Sequence, residues 1–269
     1  MTKKEDLLLK NEILNGLTAR SFNLLNNLEI KNQTDSTNDD AKKSLKKPQN
    51  KLSAHMAEQQ NSGRGRNNRQ WVSPFGQNIY LSLAWRSNLT FSDIEGLSLA
   101  IGVQVAESLE ELTKEKIKIK WPNDLLINEK KLGGILIETS SDGKDALEII
   151  IGIGINVFMQ NKDANEIDQD WTSLENHKKR TLDRNVIAAK ILNNLLALTK
   201  DFKTSGFAGY IQGFKNRNAL ENKECEVILD GKVSSTGLVT GINDKGELLI
   251  KINNEIISLR YGEVSIREL

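Results

Sequence analysis

The segment that most constrains the fold is residues 117–157, where apolar stretches follow one another with very short connections. IKIKWP, DLLIN, KLGGILIE and ALEIIIGIGINV each have the length of a strand, and the polar pair Glu129-Lys130 separates two of them. Antiparallel strands can be joined by a tight turn, whereas a parallel pair needs a crossover of about a dozen residues or more. The segment therefore predicts an antiparallel or mixed sheet.

Helical patterns flank this segment, and a different texture ends the chain. Leucines and isoleucines recur at helical spacing in residues 7–28 and 184–202, and Ser92 with Glu95 has the spacing of a capping box that predicts a helix through Leu112. After Glu224, short strands alternate with turn residues, which is typical of a small β-barrel. We predict an α+β protein with a helical lead-in over residues 1–27, a large domain over 28–221 and a barrel over 222–269.

Charge and composition exclude several classes of protein. The 269 residues contain 37 Lys+Arg and 36 Asp+Glu, and a net charge of +1 attracts neither nucleic acid nor an anionic membrane as a whole. The single Cys225 cannot form an internal disulfide, which fits a reducing compartment. No apolar run approaches the roughly 20 residues of a spanning helix. We expect a cytoplasmic protein that binds no membrane.

A loop rich in Gly, Arg and Asn, GRGRNNRQW at residues 63–71, lies between two predicted strands. Its glycines let the backbone approach a ligand, and Arg64, Arg66 and Arg69 supply donors suited to phosphate or carboxylate. Taken alone, such a loop is more often a flexible basic segment or a patch that binds RNA without sequence preference. Its place between two strands, with Trp71 closing it, favours a ligand-binding loop.

A second unusual segment is KWPND at residues 120–124, where a proline and two polar residues interrupt a strand. Asn123 and Asp124 are about equally well explained as a simple hairpin corner. Lys131 opens the next apolar strand, where it could reach a bound anion, although a lysine there is more often only a solvated strand end.

GIGIN at residues 152–156 contains a G-x-G pair, but the third glycine and the following helix of a dinucleotide fingerprint are absent. The better interpretation is a buried strand in which Gly152 and Gly154 leave room for a flat ligand. Two histidines and one cysteine cannot assemble a convincing zinc site or a cysteine protease.

Taken together and in order, STN at residues 36–38, Gln60, GRGRNNRQW, KWPNDLLINEKKLGGILIE, GIGIN and GEVSIR resemble the biotin protein ligases. The resemblance covers residue 28 to the end of the chain. It implies a catalytic domain similar to class II aminoacyl-tRNA synthetases, with a mixed sheet backed by helices, followed by an SH3-like barrel. It also implies that ATP and biotin form biotinyl-5′-AMP in the presence of Mg2+. In the second step that the resemblance implies, biotin would pass to a lysine of the biotin carboxyl carrier protein, the acceptor domain of acetyl-CoA carboxylase.

The resemblance also implies roles for individual residues, and it implies no protein ligand for the metal. Lys131 would lie at the biotin carboxylate and the α-phosphate, where a cation neutralises charge that builds up during transfer. The catalytic set is Arg64, Arg66, Asp124 and Lys131. The biotin set is Ser36, Thr37, Asn38, Gln60, Gly63, Arg64, Gly65, Arg66, Trp71, Lys131, Gly134, Gly152 and Gly154. The nucleotide set is Arg66, Arg69, Trp71, Asn123, Lys131, Asn156, Trp171 and Arg267.

The chain departs from the family pattern in two places. Asn67-Asn68 stands where members often carry a basic residue and a glycine, which could alter closure of the loop. Only about thirty residues precede the first family strand, too few for the winged helix of the repressor members. We therefore expect no DNA binding, and the sequence leaves a homodimer open.

Two alternatives to a biotin ligase stay open at this point. Lipoate protein ligase shares the fold and the adenylate chemistry, but the apolar ring of its substrate would not need the polar STN and Gln60 cluster. A small RNA-binding protein could use the Arg-rich loop and the barrel. The low net charge and the lack of stacking aromatic residues beside the loop count against that second alternative.

Overall fold

The computed structural model describes residues 7–141, 146–160, 167, 169–229, 231–260 and 264–269. The helices within these residues are α1 Lys10–Asn15, α2 Ala19–Leu24, α3 Thr37–Ser44, α4 Leu97–Glu110, α5 Arg184–Ser205 and α6 Ile211–Lys215. The strands are β1 Asn27–Lys31, β2 Leu52–Ala57, β3 Ile79–Ser87, β4 Lys118–Lys120, β5 Asp124–Ile127, β6 Lys130–Ser141, β7 Leu147–Ile155, β8 Glu224–Leu229, β9 Lys232–Ile242, β10 Leu248–Ile252, β11 Glu255–Leu259 and β12 Val264–Glu268.

The large sheet has seven strands in the order β1-β2-β3-β7-β6-β5-β4. Strands β1 and β2 are parallel, and every other neighbouring pair is antiparallel. Helix α3 makes the crossover that a parallel pair requires. The predicted mixed sheet and the α+β class are confirmed.

Different helices pack against the two faces of the large sheet. On one face, the main core joins the sheet to α4 and α5. On the other face, a small cluster joins Ala84 and Ile150 to α3. Because side chains alternate along a strand, Gly152 and Gly154 lie on the same face as Ile150. The α3 face is therefore the one on which small residues leave space.

The predicted start of helix α4 is wrong. The Ser92 and Glu95 pair predicted a start at Ser92, whereas α4 begins at Leu97, after Gly96 at φ 73°. A Cβ at Gly96 would lie 2.4 Å from the ring of Phe207. Because glycine tolerates the left-handed conformation and removes that clash, packing against Phe207 sets the helix start and overrides the capping pattern.

The C-terminal strands, predicted as a small barrel, form a five-stranded antiparallel sheet in the order β11-β10-β9-β8-β12. Its β9–β10 turn contacts the large domain: Trp121 Nε1 donates to the carbonyl of Gly246 at 3.0 Å, and Lys245 pairs with Glu95 at 3.3 Å. Residues 1–6 of the predicted lead-in lie outside the described residues, and the predicted domain boundaries stay a prediction. None of the described helices is long and apolar enough to cross a membrane.

Candidate active site

A cavity of about 820 Å3 lies on the α3 face of the large sheet. Its walls come from the start of α3, the loop after β2, the β4–β5 turn, β6, β7, the segment around residue 170, and β12. The predicted site residues in its lining are Ser36, Thr37, Asn38, Gln60, Arg64, Gly65, Arg66, Arg69, Trp71, Asn123, Asp124, Lys131, Gly134, Gly152, Gly154, Asn156, Trp171 and Arg267.

Gly63 is the predicted residue that does not line the cavity. It is the first residue of the loop, where a Cβ would be 2.7 Å from the carbonyl of Trp71 and 2.8 Å from Ser73 Oγ. Its backbone carbonyl accepts the N–H of Trp71 at 2.9 Å. Gly63 therefore permits the loop to fold back on itself.

One end of the cavity, here called the polar end, is formed by Ser36, Thr37, Asn38 and Gln60 and is backed by Ser82. Gln60 Oε1 accepts from the backbone N–H and the hydroxyl of Thr37, at 2.9 and 3.0 Å. The Ser82 hydroxyl lies 2.7 Å from Thr37 Oγ1 and 2.6 Å from Asn38 Oδ1. The side chains of this network are held in place before any ligand binds.

The polar end begins where β1 gives way to α3. Ser36 has extended backbone and occupies the N-cap position, although its side chain makes no capping bond. Asp39 and Asp40 follow in the first turn, where the helix macrodipole favours acidic groups. Sequence reasoning missed Ser82, whose only signal is a serine among apolar residues in NIYLSLAW.

Arg64 is engaged by two carboxylates that sequence reasoning also missed. Its guanidinium forks onto Asp39 at 3.1 and 2.7 Å, and it contacts both oxygens of Glu138 at 3.2 Å. The hydrogen bond from Arg64 lowers the pKa of the Asp39 carboxyl. Arg64 thus ties the loop to α3 and β6 in this arrangement, and its predicted contact with a phosphate or with biotin stays a prediction.

The glycines of β7 accommodate side chains of the protein itself. A Cβ at Gly152 would lie 2.4 Å from Asn38 Oδ1, and one at Gly154 would lie 2.5 Å from the Trp71 indole. The flat group over Gly154 is therefore Trp71. Its Nε1 is buried and has no hydrogen-bond partner among the described groups.

The other end of the cavity, here called the cationic end, is formed by Arg66, Arg69, Asp124, Lys131 and Arg267. Lys131 Nζ lies 3.0 Å from Asp124 Oδ1 and 5.5 Å from the centroid of the Trp71 ring. The Lys131 side chain is 17% exposed, so it faces the cavity more than bulk solvent.

Backbone pairing beside Lys131 brings Trp171, one of the predicted nucleotide residues, into the wall of the cavity. The N–H of Lys131 donates to the carbonyl of Asp170 at 3.0 Å, and the N–H of Thr172 donates to the carbonyl of Lys131 at 2.9 Å. Trp171, between these two residues, lines the cavity. Asn123 and Asn156 donate their side-chain amides to the carbonyls of Ile135 and Thr172, so in this structure each supports a wall of the cavity.

The loop and the C-terminal sheet meet at the cationic end. Arg66 Nη2 donates to the carbonyl of Val264 at 3.1 Å. Arg267 pairs with Glu226 at 3.3 Å and has a side chain 66% exposed. Asn67 and Asn68 have φ of 53° and 55°, a region that asparagine tolerates better than most residues. These asparagines therefore suit a turn with two successive residues at positive φ.

Two family models match two separate parts of this chain, the large domain and the C-terminal sheet. A family model described as the Biotin/lipoate A/B protein ligase family matches residues 30–156, and one described as the Biotin protein ligase C terminal domain matches residues 222–267. A solved structure, the biotin protein ligase from Aquifex aeolicus in complex with biotin and ATP, has 31% identity and a TM-score of 0.77. The match covers 90% of this chain and 99% of that one. This chain belongs to the biotin protein ligase family.

This chain matches different shares of the length of its relatives in the ligase family. The bifunctional ligase/repressor BirA of Salmonella typhimurium is 39% identical over 80% of this chain, which spans 66% of that protein. The biotin--[acetyl-CoA-carboxylase] ligase of Mycobacterium tuberculosis is 29% identical over 78% of this chain, which spans 77% of that protein. The predicted family is confirmed, and the roles predicted for individual residues stay predictions.

Proposed function

We propose that this protein activates biotin with ATP and transfers it to a lysine of a carrier protein. The observation that carries the proposal is a single cavity with a preformed polar network at one end and Lys131 at the other. In the first step, the biotin carboxylate attacks the α-phosphate of ATP, which gives biotinyl-5′-AMP and releases pyrophosphate. In the second step, the carrier lysine amine attacks the biotinyl carbonyl, loses a proton and releases AMP.

The polar end suits the head group of biotin. A cyclic urea has two N–H donors and one carbonyl acceptor, and the Thr37, Asn38 and Gln60 network offers both kinds of partner. A dithiolane ring, as in lipoate, could satisfy neither, and a ligand that leaves buried polar groups unpaired is rejected strongly. This difference ranks lipoate ligation below biotin ligation.

Lys131 would act at the junction between the two substrates. It is aimed into the cavity, and Asp124 and the Trp71 ring restrain its position. A preorganised cation at the α-phosphate stabilises the charge that develops there. Side chains beyond it would bind the rest of the nucleotide, with Trp171 facing the adenine and Arg66, Arg69 and Arg267 around the phosphates.

Magnesium would enter with the nucleotide. Among the described residues, no group of three or more His, Cys, Asp or Glu side chains could hold a metal ion. Mg2+ commonly keeps several waters and takes one or two carboxylates plus substrate phosphates, and Asp124 in the lining fits that role. Bound there, the ion would neutralise phosphate charge.

Biotin-dependent exchange of labelled pyrophosphate into ATP tests the first step. We expect exchange with biotin and none with lipoate, and exchange with lipoate alone would contradict the proposal. The second step is tested by mass spectrometry of an apo carrier domain from a biotin-dependent carboxylase. The carrier should gain one biotinyl group, and the same domain with its acceptor lysine changed to arginine should gain none.

A further inference from the structure

We propose that Glu138 is a positioning residue that sets the orientation of the Asn38 side-chain amide, with Arg64 holding Glu138 in place. The inference rests on the proposed function and adds to it the group that decides what the polar end recognises. Glu138 lies on β6, Asn38 on α3 and Arg64 in the loop after β2, so three separate elements meet here.

The hydrogen bonds of the Asn38 amide assign its two ends. Asn38 lies 2.6 Å from Glu138 Oε2 on one side and 2.6 Å from the Ser82 hydroxyl on the other. An ionised carboxylate can only accept hydrogen bonds, so the amide nitrogen must face Glu138. The amide oxygen therefore faces Ser82, and one of its two lone pairs remains for a ligand.

The neighbouring hydroxyl groups do not exclude the flipped amide, because a hydroxyl can donate or accept. Ser82 is within hydrogen-bond distance of both Thr37 Oγ1 and Asn38 Oδ1, but it has only one proton to give. Thr37 donates its own proton to Gln60 Oε1, so without Glu138 the Ser82 hydroxyl could donate to Thr37 and accept from the amide nitrogen of a flipped Asn38. Glu138 is thus the acceptor-only partner that excludes the flipped amide.

Because the Asn38 side chain is buried, the main movement left to it is a flip of its amide, which exchanges the positions of the oxygen and the nitrogen. Asn38 is 5% exposed, and a Cβ at Gly152 would already lie 2.4 Å from its Oδ1. In the flipped state the amide oxygen would face a carboxylate and the amide nitrogen would face the ligand N–H. Two donors would then oppose each other in a buried site, which costs about 1–3 kcal/mol for each unsatisfied group.

Arg64 connects this choice to the loop. Its Nη2 contacts both oxygens of Glu138, and Nη1 and Nη2 also donate to Asp39, the residue after Asn38. A loop position that keeps Arg64 here also keeps Glu138 against Asn38. The polar end is therefore set for an N–H donor when the loop is in the position seen in this structure.

A purely structural role predicts a different result from a positioning role. The Glu138 side chain is 37% exposed and that of Arg64 is 27% exposed, and ion pairs at such positions contribute little to stability. Removing the charge of Glu138 should therefore affect head-group binding more than it affects unfolding.

The test compares Glu138→Gln with Glu148→Gln. A glutamine at 138 can pair with either orientation of Asn38, so the flip is no longer excluded. Glu148 is a matched control, because it lies on the adjacent strand β7, pairs with Arg86 at 2.6 Å and with Ser140 at 3.2 Å, and is outside the cavity lining. Biotin affinity by calorimetry, the KM for ATP, kcat at saturating biotin and the melting temperature are measured for both.

We expect Glu138→Gln to weaken biotin binding about 10–100-fold, as loss of one hydrogen bond to a charged group implies. Desthiobiotin, which keeps the urea and lacks the sulfur, should lose affinity by the same factor. The KM for ATP and kcat should stay within about threefold, and Glu148→Gln should bind biotin normally. Unchanged biotin binding by Glu138→Gln, or a loss confined to biotin and absent for desthiobiotin, would overturn the inference.

An exchanged pair keeps the inference testable if Glu138→Gln is unstable. In the double variant Asn38→Asp with Glu138→Gln, the amide can donate from position 138 and the carboxylate presents the acceptor at position 38. We expect it to bind biotin more tightly than either single variant, and losses that simply add would contradict the proposal. If the unaltered protein fails to bind biotin at all, the proposed function fails instead.

Discussion

The two ends of the cavity are built on different principles. At the polar end, Thr37, Asn38 and Gln60 are tied to one another or to Ser82 and Glu138 by bonds of 2.6 to 3.0 Å. At the cationic end, Arg267 is 66% exposed and Lys131 has one carboxylate at 3.0 Å. The difference teaches that a neutral head group is recognised by hydrogen bonds of fixed geometry. Phosphates are instead bound by electrostatic attraction, which acts over a longer distance and tolerates movement of the side chains.

The largest effect is expected at the cationic end, from Lys131→Ala. Losing one preorganised charged donor at a reacting centre typically costs roughly 2.7–4 kcal/mol of barrier, so biotin-dependent pyrophosphate exchange should fall about 100–1000-fold. The matched control is Lys130→Ala, an exposed lysine on the same strand. Near-normal exchange by a folded Lys131→Ala protein would contradict the proposed role of Lys131 at the α-phosphate.

The next effect tests how rigid the polar end is. Gly152→Ala places a Cβ 2.4 Å from Asn38 Oδ1, which Ser82 and Glu138 hold in place. Overpacking of this kind costs about 1–3 kcal/mol, so biotin should bind about 10-fold more weakly while the KM for ATP changes little. In Gly102→Ala, the added Cβ makes only ordinary contacts, the nearest at 3.4 Å. A Gly152→Ala protein with normal biotin affinity would show that the side chains of the polar end can move to accommodate the added Cβ.

A smaller effect is expected where the C-terminal sheet reaches the cationic end. Arg267→Ala should raise the KM for ATP several-fold at an unchanged melting temperature, because its exposed pair with Glu226 contributes at most about 1 kcal/mol to stability. Arg260→Ala is the control, since Arg260 also has an exposed side chain, pairs with Glu247 at 2.7 Å and lies outside the cavity lining. An unchanged ATP dependence would leave the sheet with a structural or carrier-docking role.

The smallest effect concerns the support of α3, the helix whose first residues belong to the polar end. His55 is 2% exposed on β2 and contacts Ser53, which reaches Ser44 of α3. Burial lowers the pKa of His55, although Glu29 partly opposes this. The unfolded chain then binds more protons below about pH 6.5, so stability is complete above that pH and falls as the pH drops.

Melting curves of the unaltered protein and of His55→Asn would measure how much stability is lost when His55 is protonated. The curves would run between about pH 7.5 and 5, so that both limits are roughly one unit or more from the ordinary histidine pKa of about 6.5. The melting temperature should fall less steeply with acidification in the variant. Parallel curves would mean that protonation of His55 does not weaken the support of α3.

Local patterns predicted the parts of this protein that depend on residues close together in the chain. The tight turns between apolar segments indicated the mixed sheet. The motifs from STN to GEVSIR, taken together, indicated the family, and that resemblance implied many of the residues that line the cavity. The sheet could be predicted because turn geometry and strand alternation are set within a few residues, whereas the site residues came from the resemblance of the motifs to the ligase family.

Only the tertiary structure decided which groups those residues meet. Arg64 is paired with Glu138 across 74 positions, and Asn38 with Glu138 across 100. The space over Gly154 holds Trp71, and Phe207 sets the start of α4. Hydrogen bonds and close contacts of this kind depend on how α3, the loop and the sheet pack together. Packing joins residues with no relation along the chain, so no local pattern encodes them.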